Sequence, residues 1–182
     1  MFSFASIKVK STFLVFIVST SLLWVINSSS AADDSTQAND ILPYVALKEG
    51  SNLAIDGDEA NKKQIPVLIF FSMQHCPFCI EVEEDYLKPM LRNSEYDSKV
   101  IIRKIRIDGI DDLRDFTGQE RDPGEFSEGY NVSMVPTLVL VNSKGKKIAP
   151  AIIGIRNSHY YSSELDDAID ASTKKIREIA KR

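Results

Sequence analysis

Apolar and polar positions divide the chain into blocks. Residues 11–32 carry no charge, and their apolar cores, 13–18 and 22–26, are interrupted by Ser19-Thr20-Ser21. Residues 33–40 are polar and read as a flexible leader. Residues 41–53 follow no single period, because Pro43 and Gly50 limit any helix, and 58–64 read as the end of a helix before Pro66. The continuous apolar run at 67–72 predicts a buried strand. Residues 77–92 place Val82, Tyr86, Leu87, Met90 and Leu91 on one helical face, with Glu81, Glu83, Glu84 and Asp85 on the solvated one; Pro89 predicts a kink, since it removes a ladder bond. Residues 100–107 alternate, which predicts a strand with Ile101, Ile105 and Ile107 on its apolar face. Short helices are expected at 111–117 and 125–130. Strands are expected at 138–142 and 147–155, joined by the turn Asn142-Ser143-Lys144-Gly145. A last helix, capped by Ser162 or Ser163, turns Leu165, Ile169, Ile176 and Ile179 inward.

Charge placement separates the first block from the rest. Lys8 and Lys10 precede the uncharged run, and Ser28-Ser29-Ser30-Ala31-Ala32 closes it before the first acidic residue, Asp33. A basic start, an apolar core and a small-residue exit describe an export signal over residues 1–32, with cleavage after Ala31 or Ala32. The interrupted run is short for a membrane span, which makes an uncleaved anchor the weaker alternative. No cysteine lies in this region, which excludes a bacterial lipoprotein anchor. What remains is one domain's length, 33–64 being a leader and extension and 65–182 the domain proper. Without Lys8 and Lys10, 20 basic residues face 26 acidic ones, a net charge of −6, which is no nucleic-acid footprint. Eight acidic residues against two basic ones fall within 108–130, an acidic insert between two strands.

The chain's two cysteines, Cys76 and Cys79, stand at the exit of the buried strand and the start of the helix. Thiol–disulfide exchange requires this spacing, because the second thiol must reach the sulfur that the first has bonded to a substrate. Pro77 suits the first helical position. Cys76 then caps the helix, where unpaired N–H groups favour its thiolate. Cys76 is read as the nucleophile and Cys79, one turn in, as the resolving thiol. A structural staple of so short a loop would stabilise almost nothing. Zinc needs about four ligands, and beyond the cysteines only His75 and His159 are soft donors. Covalent haem attachment needs a histidine where Ile80 stands. No metal and no cofactor is therefore expected.

These residues resemble the thioredoxin superfamily over roughly residues 65–180. Val67-Leu68-Ile69-Phe70-Phe71 with Cys76-Pro77-Phe78-Cys79 is similar to its active strand and redox turn. Tyr130-Asn131-Val132-Ser133-Met134-Val135-Pro136-Thr137 is similar to its stretch from tyrosine to cis-proline, and Gly154 falls where the family has a glycine in its last strand. Tyr86-Leu87-Lys88-Pro89-Met90-Leu91-Arg92 leading to Val100-Ile101-Ile102-Arg103 resembles the exported bacterial, SoxW-type subgroup. The resemblance implies an α/β fold, a central mixed sheet flanked by helices, with the acidic insert before the cis-Pro strand. It implies a Cys76–Cys79 redox disulfide supported by His75, Pro77, Phe78 and Pro136, and substrate contact at Val135 and Thr137. Three departures stand out: Phe70 replaces the buried Asp of cytosolic thioredoxins, His75 replaces the family tryptophan, and the acidic insert is longer. The implied function is a monomeric periplasmic thiol-disulfide oxidoreductase acting on protein disulfide or dithiol substrates. The reductase direction is favoured, recharged by a membrane electron carrier of DsbD or CcdA type. A disulfide oxidase of DsbA-like direction and a non-catalytic binding module are the alternatives.

Overall fold

The computed structural model describes residues 42–181, so the export signal and the leader up to residue 41 lie outside the described residues. Helix α1 (Leu53–Lys63) is capped by Asn52, whose side chain accepts from the Ile55 N–H, and ends at Gln64 in the left-handed region. The expected helix end near Pro66 is thus the last turn of a longer helix. Leu53 and Ala60 are fully enclosed, so the packed unit begins before residue 65.

Strand β1 (Val67–Ser72) is buried along its whole length. It pairs in parallel with β2 (Ile101–Arg106) and antiparallel with β5 (Thr137–Val141). β5 in turn pairs antiparallel with β6 (Ile152–Ile153), giving the sheet order β2-β1-β5-β6. Side chains alternate between the two faces of a strand. Leu68 and Phe70 join a cluster with Ile102, Leu138, Leu140, Val82, Leu87 and Leu165. Val67, Ile69 and Phe71 join the opposite cluster with Leu53, Ile105, Val139 and Phe126. Both faces of β2 are therefore covered, not only the one face expected; Ile101 and Ile102 are each buried.

The expected helix 77–92 is built in three parts: α2 (Pro77–Glu81), a π turn at Val82–Leu87, and α3 (Lys88–Arg92). Pro89 has no N–H to give and its ring crowds the carbonyl four residues back. The wide turn before it, in which the Lys88 N–H reaches the Glu83 carbonyl, absorbs that mismatch. A 3₁₀ turn at Ser94–Ser98 leads to β2.

In the acidic insert the expected helix 111–117 is instead a two-stranded hairpin, β3 (Leu113–Arg114) with β4 (Glu120–Arg121). Asp115 makes the difference: its carboxylate accepts from the Thr117 and Gln119 N–H groups and the Thr117 hydroxyl, which fixes a turn around Gly118. Helix α4 (Pro123–Gly129) follows, capped by Asp122. After β5 the strand expected at 147–155 is cut short. Lys147 makes only a bridge to Val141, and the ladder resumes at Ile152, beyond Pro150. The last helix, α5 (Ser158–Ala180), starts a turn earlier than expected because Asn157 caps it. Its inward face is Tyr161, Leu165, Ile169 and Ser172, whereas Ile179 is exposed.

Candidate redox site

The redox residues stand where β1 ends and α2 begins. Cys76 has extended backbone and occupies the N-cap of α2, and its sulfur accepts the Cys79 N–H at 3.2 Å. Pro77 sits in the first turn. Cys76 and Cys79 are joined by a disulfide, with their Cα atoms 5.2 Å apart. Their exposures differ. Cys76 is half-buried, while Cys79 is 4% exposed and packs among Phe70, Val82 and Leu87. An attacking sulfur must be reached by a substrate, and a resolving sulfur needs to reach only its neighbour.

The loop before Cys76 is held from β2's side. Asp108, just past β2, accepts the Gln74 N–H with both carboxylate oxygens, at 2.9 and 3.2 Å. The Ile107 N–H continues the strand contact to the Ser72 carbonyl at 2.9 Å. His75 then takes a φ of 57°, in the left-handed region, and turns the chain into the redox helix. Histidine adopts that region more readily than most residues. Its side chain is exposed, as are those of Pro77 and Phe78.

The loop before β5 completes the site. The Val135–Pro136 peptide bond is cis, Pro136 is buried, and Val135 packs against the same apolar cluster as Cys76. The Pro136 carbonyl accepts the Gly154 N–H at 2.9 Å, which ties this loop to β6. The Thr137 side chain is buried and its hydroxyl donates to the Met134 carbonyl at 2.7 Å. Thr137 thus holds the loop's shape and pairs with Phe71 in the sheet. Met73, Phe78 and Met134, the side chains beside and between these segments, are exposed.

Further along the redox helix lies a charged group that pattern reading assigned to solvent. Glu83 is paired with Lys104 of β2 at 2.7 Å, and both side chains are about four-fifths buried, at 18% and 21% exposed. Glu84 pairs with Lys88 along the helix. Of the four acidic residues on this helix, two therefore serve as ion-pair partners. The available signals were small: Glu83 falls one turn after Cys79, and Asp108 directly follows a strand that ends beside the redox loop. Among the described residues there is no cluster of His, Cys, Asp and Glu able to hold a metal ion.

The thioredoxin-like domain family matches residues 53–169. No curated protein sequence matches the chain. Among solved structures, a DsbH oxidoreductase is similar at 16% identity, covering 69% of this chain and 87% of that one, with a TM-score of 0.52. Mitochondrial thioredoxin 3 from Saccharomyces cerevisiae, in its oxidised form, is 20% identical over 68% of this chain and 93% of its own, with a TM-score of 0.44. Spinach chloroplast thioredoxin f is 17% identical over 69% and 86%, at 0.47. At such identities structural likeness speaks to the fold alone. The sequence family covers most of the folded part, from α1 into α5, and includes both cysteines and the loop that faces them. With a mixed sheet flanked by helices and a Cys-x-x-Cys pair capping the helix after its central strand, the chain belongs to the thioredoxin-like family.

Proposed function

We propose that this protein is an exported thiol-disulfide reductase. Cys76 attacks a protein disulfide, and Cys79 resolves the resulting mixed disulfide. The observation that carries this reading is the asymmetry of the pair: Cys76 at a helix N-cap with an N–H aimed at its sulfur, Cys79 enclosed one turn later. The helix end favours thiolate at Cys76 over an ordinary thiol of about 8.5. Attack forms the Cys76–substrate bond and expels one substrate thiolate. Attack by Cys79 on the Cys76 sulfur then closes the Cys76–Cys79 disulfide and expels the second. Two electrons pass to the substrate, so each turnover requires a donor to reopen the disulfide.

The basic, apolar and small-residue segments of residues 1–32 support export to the periplasm. An oxidising compartment makes a membrane carrier of DsbD or CcdA type the fitting electron donor. The reductase direction is supported by Pro77-Phe78, which lacks a histidine between the cysteines. It is supported too by the small size of the segment between β2 and β5, a hairpin and the seven-residue α4. The pair's potential should fall between about −270 and −120 mV. Val135, half-buried and packed against the same apolar cluster as Cys76, is the backbone edge offered to a substrate strand, with the exposed Met73, Phe78 and Met134 as its apolar surround.

Acid quenching of intact cells followed by thiol alkylation tests the direction. A reductase with its own electron supply keeps Cys76 and Cys79 mostly reduced. A pool that is mostly oxidised would contradict the reductase reading.

A further inference from the structure

Residues 129–163 hold no acidic residue, yet they carry Lys144, Lys146, Lys147 and Arg156. The charges of α5 are segregated along the helix. Glu164, Asp166, Asp167 and Asp170 fall in its first half. Lys174, Lys175, Arg177 and Lys181 fall in or just past its last two turns, against the single Glu178. The fold joins the two basic sets, because the Lys175 ammonium donates to the Ile148 carbonyl at 3.2 Å, directly after the turn that bears three lysines. Arg156 is paired with Glu164. The three lysines of the turn and the four cations of the helix end are exposed, and none of them is ion-paired among the described residues. Cations near the end of α5 offset its carbonyl dipole, but the lysines of the turn belong to no helix. Like charges gathered on one pole repel one another, and an anionic surface relieves that repulsion.

Strand register places this pole. Thr137 lies opposite Phe71 and Val141 opposite Val67, so the turn after Val141 stands at the end of the sheet away from the redox loop. Four strand residues separate the two ends, roughly 14 Å. Helix α5 runs the same way: it starts where the Tyr86 hydroxyl donates to the Ser158 carbonyl, and its end meets Ile148. Residues 177–181 are all exposed, and Ile179, 56% exposed, stands between Arg177 and Lys181. An exposed apolar side chain flanked by cations suits the boundary between lipid headgroups and acyl chains, whereas a soluble polyanion has no use for it. We propose that the turn 142–147 and the end of α5 form a docking surface for an anionic phospholipid bilayer, with Ile179 entering its interface. Docked in this way, the chain turns Cys76 away from the lipid and toward exported proteins. The carboxylates beside this surface are Glu178, and Asp115 and Glu125, which line one depression with Lys147. Asp115 is already held by Thr117, Gln119 and Arg121. Charges farther off are screened beyond about 10 Å at 0.1 M salt.

The exported chain without residues 1–32 is sedimented with vesicles of equal parts phosphatidylglycerol and phosphatidylcholine, and with vesicles of phosphatidylcholine alone. It is expected to pellet with the anionic vesicles at about 0.1 M salt, to be released at about 1 M, where screening shortens to about 3 Å, and to stay in solution with the neutral ones. Lys144→Gln, Lys174→Gln and Lys181→Gln alter side chains that make no hydrogen bond among the described residues. Each should lower the partition coefficient about fivefold, the usual worth of one basic residue at an anionic surface. Ile179→Ser should lower it about threefold or more with the salt dependence kept. No pelleting with anionic vesicles, equal pelleting with both kinds, or binding unmoved by the lysine substitutions would overturn the proposal. Binding that falls with the lysines but ignores Ile179→Ser would overturn it too, in favour of a soluble acidic partner. All four variants keep wild-type disulfide exchange, so failure of exchange in the wild type strikes the redox reading and leaves this one standing.

Discussion

A methyl group at residue 57 would stand 2.4 Å from the Ser143 carbonyl oxygen and 3.2 Å from the Phe116 ring. Gly57 lies inside α1, where glycine is otherwise a poor choice, so its presence reports how closely the helix approaches the turn after β5. Gly57→Ala is expected to lower stability by about 1–3 kcal/mol, the usual cost of overfilling a packed contact, as read by urea unfolding. A second single-residue prediction concerns Tyr96, whose hydroxyl donates to Asp166 at 2.6 Å. That hydrogen bond, with burial behind it, pushes the phenol up to about 12 from its ordinary value near 10. A group whose folded value is raised contributes its full share of stability below the unfolded value and loses it as pH climbs through the folded one. Thermal stability should therefore fall between about pH 10 and 12. Asp166→Asn should bring the phenolate absorbance transition back toward pH 10 and flatten that fall.

Among the elements, α1 and α5 show how far pattern reading reached. The buried strand β1 was legible because its six-residue apolar run is too short for a helix and rich in β-branched and aromatic residues, and the helix after Pro77 because of its 3.6-residue period. The start of α1 was not, since Leu53, Ala54 and Ile55 precede a polar stretch and what secures them is burial of Leu53 in the sheet's second cluster. The β3–β4 hairpin was missed for a related reason: Asp115 writes its turn through side-chain bonds that periodicity does not register. At the site, the cysteines were legible from their spacing, and the Val135-Pro136 loop from the resemblance of residues 130–137 to the thioredoxin superfamily. The Glu83–Lys104 ion pair and the hold of Asp108 on the redox loop were not, because they follow from strand register and from which face each side chain takes. Asp56 of α1 and Arg103 of β2 make a two-point ion pair with side chains 8% and 15% exposed. Asp56→Ala strands a buried guanidinium and should cost about 3–5 kcal/mol, measured by denaturant unfolding. Asn157→Ala removes the cap of α5 and should cost about 1 kcal/mol by the same measurement, with little effect on disulfide exchange.

For the molecule as a whole, the sheet order places β1 between a parallel and an antiparallel neighbour, so three segments converge at its end: the redox loop, the residues after β2, and the loop before β5. Each contributes one part of the proposed chemistry. The redox loop supplies the sulfur pair, Asp108 after β2 fixes the loop's entry, and Val135-Pro136 shapes the surface beside Cys76. Such convergence cannot be read residue by residue, because it depends on strand partners far apart in sequence. The central claim is that Cys76 attacks and Cys79 resolves. The most direct test is to incubate reduced Cys79→Ser with a disulfide-bonded protein substrate and look for a covalent adduct on a non-reducing gel. The account predicts an adduct that is abolished by adding Cys76→Ser and reversed by a small dithiol, and no substrate reduction by Cys76→Ser alone. Reduction of the substrate by Cys76→Ser at the wild-type rate would contradict it.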